Sequence, residues 1–366
     1  MDKSFKILFV PNGGRIAPAT RYRIYQYLPF LDEAGIKYKV YSAICDNTTV
    51  RMVGSSALTG LRKNMYYARV FFERLIRFFR IFYLAGIFDV VFLQRTTFPL
   101  GLEKLLRKRN KNIIFDIDDS IYMPDKEERG LTGRIKKYIK KEEVVSALKV
   151  SKCVIVENNH IRSFAAGFCA NIHIITGPID TVKNFPRQAS GKNDTVIIGW
   201  IGSPSTTVYL DMLKGILVEL SEKYDIKLNL VGAGKYSIPG VRVENVGWSE
   251  AIEVGELHKF DIGVMPMPDN EWTRGKVGCK MLQYMVNAIP AVVSYTPTNA
   301  EIIHDGANGF LAYDKKDWIN KISILIENLQ LRKGMGLKGR QVVEERYSVI
   351  ANAGTFIKIL KDTISS

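Results

Sequence analysis

Lys276 and Lys280 stand four residues apart, past a short apolar strand and a Pro-, Asp- and Asn-rich loop, in the stretch from Val264 to Leu311. The pattern predicts a strand over Asp261 to Pro266, a helix from about Lys276 to Asn287 and a buried strand over Ala291 to Ser294. A further helix is expected to begin near Ala300, with Gly306 and Gly309 closing the turn after it. A strand, a polar loop and the positive N-terminal end of a helix make a site for an anion. Both lysines fall in the first helical turn of that reading and point to one side. Two cations there oppose the helix dipole, so a negative group is expected between them, and a diphosphate fits. The alternative is a solvated lysine face.

Other loops carry compatible chemistry. Gly202-Ser203-Pro204-Ser205-Thr206-Thr207 follows the strand Thr195 to Ile201 and opens a helix expected from about Val208 to Lys223. It offers backbone N–H groups and hydroxyls to an anion. Gly232-Ala233-Gly234 ends the strand Leu228 to Val231, and Gly247-Trp248 follows Val241 to Val246. Nearer the start, the strand Asn112 to Ile117 leads into Asp116, Asp118 and Asp119, which could bind a divalent metal, hold a catalytic base, or only cap the next segment. Gly13-Gly14 turns the chain after the strand Lys6 to Val10, without a GxGxxG pattern. Arg15, Arg21 and Arg23 lie close by, either to contact a phosphate or as a solvated helix face.

These loops need strands to hold them, and the chain supplies them in two alternating sets. Lys6 to Val10, Asp89 to Gln94 and Asn112 to Ile117 are short apolar runs, and Tyr38 to Ser42, Cys153 to Glu157 and Ile172 to Ile175 are further strands, all separated by helical patterns. Continuous apolar runs of this length are strands of a parallel sheet covered on both faces. A helix is expected from about Ala19 to Ala34, and a basic one over Lys136 to Val150. The linker from Thr176-Gly177-Pro178 through QASGKND is the best boundary, after which the same architecture recurs. The expected division is residues 1–185, 186–347 and a last amphipathic helix within 348–366. Glu253 to Lys259 is a short helix between two of the later strands.

A chain of 366 residues exceeds one ordinary core. Its 46% hydrophobic and 24% charged residues are the profile of a globular protein. Lys and Arg number 52 against 37 Asp and Glu, a net charge of +15, which favours an anionic partner. Cys45, Cys153, Cys169 and Cys279 show no CxxC spacing, which speaks against a disulfide framework or a zinc site and fits a reducing cytosol. The start MDKSFKILFV runs straight into a strand rather than a signal peptide, and no apolar run is long enough to span a bilayer. A cytoplasmic location is expected. Asn64 to Phe88 crowds aromatic and aliphatic residues around Arg69, Arg74, Arg77 and Arg80. Such a helix can lie on an anionic membrane, at the inner face of the cell membrane, or pack in the core with its arginines in solvent.

Three further pieces carry a family pattern. They are Val231-Gly232-Ala233-Gly234, Leu282-Gln283-Tyr284-Met285 running to Ile289-Pro290-Ala291-Val292-Val293-Ser294, and Glu301-Ile302-Ile303 with Asp305-Gly306-Ala307-Asn308-Gly309-Phe310. Through them, roughly Thr195 to Tyr347 resembles the donor domain of GT-B glycosyltransferases in the family-4 group of retaining enzymes. The KILFVPN opening, Arg21-Tyr22-Arg23 and FDIDDSIY look like a subgroup that makes bacterial surface polysaccharides. The resemblance implies a GT-B fold, two Rossmann-like domains facing across a cleft, with the last helix, Ile350 to Ile364, returning to the first.

The chain departs from that pattern at several points. The family's two glutamates would fall at Gly275 and Gln283, the usual Arg after the first donor-domain strand is replaced around Ser203, and Asp118 stands at the position of the usual His. The resemblance implies that Gln283 meets the nucleotide ribose, and leaves Lys276 and Lys280 to neutralise the diphosphate together with Gly202 and Ser203. The base would rest near Trp248. Gly13, Gly14, Arg21, Asp118 and Asp119 become acceptor-side groups, with Asp118 and Lys280 as catalytic candidates. No metal or other cofactor is expected, since GT-B enzymes generally need none. The implied reaction moves a sugar from a nucleoside-diphosphate sugar to a glycan or lipid-linked sugar, with retention, in cell-surface polysaccharide synthesis. A catalytically inactive sugar-nucleotide or glycan-binding protein would show donor binding without turnover. A nucleic-acid-binding protein is suggested by charge alone, against which the basic residues are spread out and no nucleic-acid motif occurs.

Overall fold

The computed structural model describes residues 5–54, 60–123, 131–187 and 195–365. The chain divides into two compact units, Met1–Pro178 with Asn352–Ser366, and Ile179–Ala351. The QASGKND part of the expected linker lies outside the described residues.

The first unit is built on six parallel strands: β1 (Lys6–Pro11), β2 (Lys37–Val40), β3 (Val90–Gln94), β4 (Ile113–Ile117), β5 (Cys153–Val156) and β6 (Ile172–Ile174). Their order is β2-β1-β3-β4-β5-β6. Ile7 through Val10, Val90 through Leu93 and Cys153 through Val156 are all fully buried, as strands covered on both faces must be. The chain leaves β1 for β2 on one side and then crosses to β3 on the other, which opens a crevice at the carboxyl ends of β1 and β3. Phe356, from the last helix Val349–Ser365, stacks on Tyr27 with ring centres 4.1 Å apart and meets the edge of Phe92.

The expected helix Ala19 to Ala34 is broken. It becomes Pro18–Arg23, a 3-10 turn Tyr25–Tyr27, and Leu28–Glu33. Pro29 lacks an N–H and cannot continue a helix through the preceding turn, and Ile24 leaves helical geometry at φ −129. The aromatic segment forms one helix, Gly60–Ala85. Phe78, Ile81, Leu84 and Ala85 sink into the core. Arg74 reaches Asn12, and Arg77 donates to the Ser42 carbonyl at 2.7 Å while lying over Tyr41. Met65, Phe72, Ile76, Phe79 and Tyr83 stay exposed beside the exposed Arg69 and Arg80.

The second unit repeats the plan with β7 (Val196–Ile201), β8 (Ile226–Val231), β9 (Val243–Val246), β10 (Ile262–Met265), β11 (Ala291–Ser294) and β12 (Phe310–Ala312). Its order, β12-β11-β10-β7-β8-β9, puts the change of direction between β7 and β10. Three helix expectations are corrected. The stretch after the Gly202 loop is a 3-10 helix, Pro204–Leu213, before an α-helix over Lys214–Lys223. The helix placed near Ala300 ends there, running Pro297–Ala300 from a Thr296 cap. The helix placed from Lys276 begins at Cys279 and ends at Val286: Gly278 before it is outside helical geometry at φ −66, ψ 84, and packs so closely that an added Cβ would lie 2.3 Å from the Met265 sulfur.

Candidate functional site

The Tyr284 side chain bridges the β7/β10 crevice. The two strands pair only at Ile262 with Ile198 and Gly263 with Gly199, then separate towards their carboxyl ends. Tyr284, on the helix Cys279–Val286, lies over Gly263, where an added Cβ would sit 2.4 Å from its ring. Its hydroxyl accepts from the Ile201 N–H and donates to the Val264 carbonyl, both at 3.2 Å. The diverging strand ends are thus satisfied by a side chain, and the helix that carries Lys280 is locked to them.

Two glycines shape the loop facing this helix. An added Cβ on Gly202 would lie 2.4 Å from the Trp200 ring and 2.7 Å from Lys280 Cε. Gly232 has φ +79, a conformation side chains rarely adopt, and its Cβ would fall 2.2 Å from the Gly202 carbonyl oxygen. Ser203 caps the 3-10 helix through its backbone, its carbonyl accepting from the Thr206 N–H at 2.9 Å and its hydroxyl lying 2.8 Å from that of Ser205.

Lys280 stands over this loop. Its ammonium is 3.4 Å from Thr206 Oγ1 and 5.0 Å from the centre of the Trp200 ring. Burial, and then the nearby Lys276 charge, lower its pKa to about 8. Lys276 lies before the helix rather than in its first turn, so the two lysines do not share a helical face. Their proximity comes from the loop, and Lys276 rests over the Trp272 ring at 4.8 Å. The structure brings Gly202, Ser203, Lys276 and Lys280 to one place at the carboxyl end of the sheet. A basic group there, partly desolvated and pressed by a second cation, gains from an anion's arrival.

Gln283, three residues on from Lys280, is 8% exposed and donates from Nε2 to Glu253 Oε1 at 3.2 Å. The other oxygen of Glu253 accepts from the Trp248 indole N–H at 2.6 Å. The Trp248 ring is 41% exposed. In the sequence Glu253 is legible only as the start of a short helix expected over Glu253 to Lys259, which the structure ends at Leu257. Its one sequence signal is the five-residue spacing from Trp248, which carries no chemistry until the fold adds Gln283.

In the first unit the acids are engaged by arginines. Arg23, 3% exposed, forms an ion pair with the fully buried Asp116 and a second with Glu157 at 3.1 Å, and donates to the carbonyls of Ile175 and Gly177. Arg23 is therefore a buried cross-link of three strand ends and not the phosphate contact it could have been. Burial pushes the Glu157 carboxyl up to about 8, with Arg23 pulling the other way. Asp118 pairs with Arg95, whose other nitrogen lies 3.3 Å from Asp119. Arg95 has φ +51 at the end of β3, a conformation that costs about 1–3 kcal/mol in a non-glycine residue.

The remaining first-unit candidates lie nearer β1. Gly14 donates to Thr49 Oγ1 at 3.2 Å, and the Asp46 carboxylate occupies the space its side chain would take. Gly13 packs against Thr49 and Ala17, and Arg21 donates to the Ile16 carbonyl at 3.0 Å. A cavity of about 190 Å³ beside them is lined by Gly14, Arg15, Tyr25, Tyr41, Asp46 and Arg77. Among the described residues no cluster of three or more His, Cys, Asp or Glu is arranged to hold a metal ion.

Residues 195–328 match the family model described as glycosyl transferases group 1. The fold is GT-B. Anabaena HepE, solved with UDP and glucose, superposes with a TM-score of 0.65 at 15% identity, covering 98% of this chain and 100% of that one. Sucrose-phosphate synthase from Thermosynechococcus elongatus gives a TM-score of 0.71 at 12% identity, with 99% of each chain covered. A glycosyltransferase from Rickettsia africae gives 0.65 at 14% identity, covering 100% of both. No curated protein matches in sequence. Within this GT-B fold, Gly275 closes the short helix Glu271–Arg274 and is buried, so no side chain meets a ligand there. Among the described residues no helix is long and apolar enough to cross a membrane.

Proposed function

We propose that this protein is a glycosyltransferase that moves a sugar from a nucleoside-diphosphate sugar to a glycan or lipid-linked sugar. The observation that carries the reading is Lys280, half-buried against Trp200 and the Gly202 loop at the switch point of the second sheet. A fixed cation there meets the charge that grows on the departing diphosphate, and preorganised charge in a partly desolvated site lowers the barrier. Lys276, Gly202 and Ser203 complete the diphosphate site, Gln283 faces the ribose and Trp248 the base. The match of residues 195–328 supports this assignment, as does a GT-B neighbour that holds UDP and glucose.

Gly13, Gly14, Arg21, Asp118 and Asp119 are the acceptor-side groups of this proposal. The anomeric configuration is retained, no metal or cofactor takes part, and the product enters a cell-surface polysaccharide. The protein works in the cytoplasm, resting on the inner face of the membrane through residues 64–88, where a lipid-linked acceptor is met.

Thermal unfolding with UDP, GDP and ADP and their sugars, on the wild type and Lys280→Ala, tests the donor site. A ligand at a hundred times its dissociation constant stabilises by about 2.7 kcal/mol. One diphosphate is expected to raise the midpoint, and the substitution to remove most of that rise. No shift with any of them at millimolar concentration sinks the reading. Gly275 and Gln283 in place of the family's glutamates favour a second reading, a sugar-nucleotide-binding protein without activity. Donor binding with neither transfer nor hydrolysis would establish it.

A further inference from the structure

The first unit holds two cations that no step above uses. They line the cavity of about 190 Å³ where the carboxyl ends of β1 and β2 meet, beside the β1/β3 crevice and not in it. The Arg15 guanidinium stands 5.2 Å from the centre of the Tyr25 ring, and that of Arg77 stands 4.5 Å from the centre of the Tyr41 ring. Arg77 Nε donates to the Ser42 carbonyl at 2.7 Å, which fixes its direction. Among the described residues neither guanidinium forms an ion pair. Glu73, one turn before Arg77 on the helix Gly60–Ala85, is already engaged by the Cys45 N–H and the Thr48 hydroxyl, both at 2.6 Å. The acid that does line the cavity is Asp46, in the first turn of the helix Asp46–Gly54, where the helix dipole offsets part of its charge.

Two guanidiniums against one carboxylate leave the cavity cationic, and their N–H forks fit the oxygens of a phosphate. A carboxylate ligand would fill one fork. A phosphomonoester carries close to two charges at neutral pH and has oxygens for both. Size narrows the choice further. Pockets for drug-sized ligands run to about 300–1,000 Å³, so this smaller one takes a phosphate and part of the group that bears it, and no nucleotide. We propose that the cavity binds the phosphate of a phosphorylated acceptor, held by Arg15 and Arg77, with Asp46 accepting from a hydroxyl beside it. This inference rests on the reading of the first unit as the acceptor side and adds the acceptor's chemical class. A sugar phosphate and the phosphate of a lipid carrier present the same group. Arg77 lies on the helix whose outer stripe meets the membrane in that reading.

The test titrates glucose 6-phosphate, glucose, and UDP, GDP and ADP by calorimetry into the wild type, Arg15→Gln, Arg77→Gln and Lys280→Ala. Each arginine substitution should weaken glucose 6-phosphate binding by roughly ten- to a hundred-fold and leave nucleotide binding in place. Lys280→Ala should do the reverse, which separates this phosphate from the donor's. Arg15 is exposed, so its variant carries the test if Arg77→Gln, which loses the Ser42 bond, does not fold. Sedimentation with vesicles of equal charge, containing phosphatidic acid or phosphatidylserine, distinguishes the two sources. A preference for phosphatidic acid that Arg15→Gln removes assigns the phosphate to a lipid. Glucose 6-phosphate binding without that preference assigns it to a sugar. Neither response, or glucose 6-phosphate binding that only Lys280→Ala removes, overturns the inference while nucleotide binding keeps the sugar-nucleotide reading. Absence of binding by every nucleoside diphosphate to the wild type overturns that reading and, with it, the acceptor role of the cavity.

Discussion

The Lys280 ammonium lies 5.0 Å from the centre of the Trp200 ring, with the Gly202 backbone passing beside both. Trp200 is 1% exposed, so the cation is held against a rigid wall and not on a free tether. Burial and Lys276 together hold its pKa down to about 8. An anion binding there stabilises the protonated form and raises that value. The contribution is therefore fully present below pH 8 and is lost as pH rises through the higher pKa of the complex. Diphosphate affinity should fall above pH 8, by up to about tenfold per unit. Lys280→Ala should weaken binding by about 1.5–3 kcal/mol and flatten the profile. Calorimetric titrations between pH 7 and 9.5 would show it, and equal slopes for both proteins would contradict it.

Gly202→Ala is a sharper probe of the same loop. Its new methyl would meet the Trp200 ring, which has nowhere to go, and Lys280 Cε, which can swing away. A stability loss of about 1–3 kcal/mol from overpacking is expected, with a disproportionate loss of diphosphate binding. Thermal midpoints with and without nucleotide separate the two effects. A variant that binds as well as the wild type would mean that the lysine's position is not what the anion reads.

Arg23 should matter for stability rather than for catalysis. Removing it leaves Asp116 and Glu157, which are 0% and 3% exposed as side chains, without their shared cation. Arg23→Ala is expected to cost about 3–5 kcal/mol, the usual penalty for orphaning a buried charge. Chemical denaturation measures this directly. A loss below 1 kcal/mol would show that water reaches the acids.

The exposed stripe Met65, Phe72, Ile76, Phe79 and Tyr83, flanked by Arg69 and Arg80, predicts binding to vesicles that contain phosphatidylserine and weaker binding to neutral ones. Replacing Phe72, Ile76 and Phe79 by Ser should abolish sedimentation with vesicles. Replacing Arg69 and Arg80 by Gln should remove the preference for anionic lipid, at about 1 kcal/mol per charge. Equal behaviour on both vesicle types would leave the stripe without its proposed role.

The amino-acid sequence by itself determined the two alternating α/β halves and the loops at their strand ends. Buried parallel strands are continuously apolar, as in KILFV and TVIIGWI, and that signal is local. The same locality explains Gly202, since a strand followed by Gly and Ser marks a turn without knowledge of its neighbours. Contacts distant in sequence were decided only by the tertiary structure. Arg23 meets Asp116 across 93 residues, and Gln283 meets Glu253 across 30. No local pattern distinguishes a surface arginine from one that will be buried, or a helix-starting glutamate from one aimed at an indole. The start of the Lys280 helix failed for a related reason. Lysine spacing favours an earlier start, but Gly278 leaves helical geometry at ψ 84 and passes against Met265, and glycine costs about 1 kcal/mol in a helix interior.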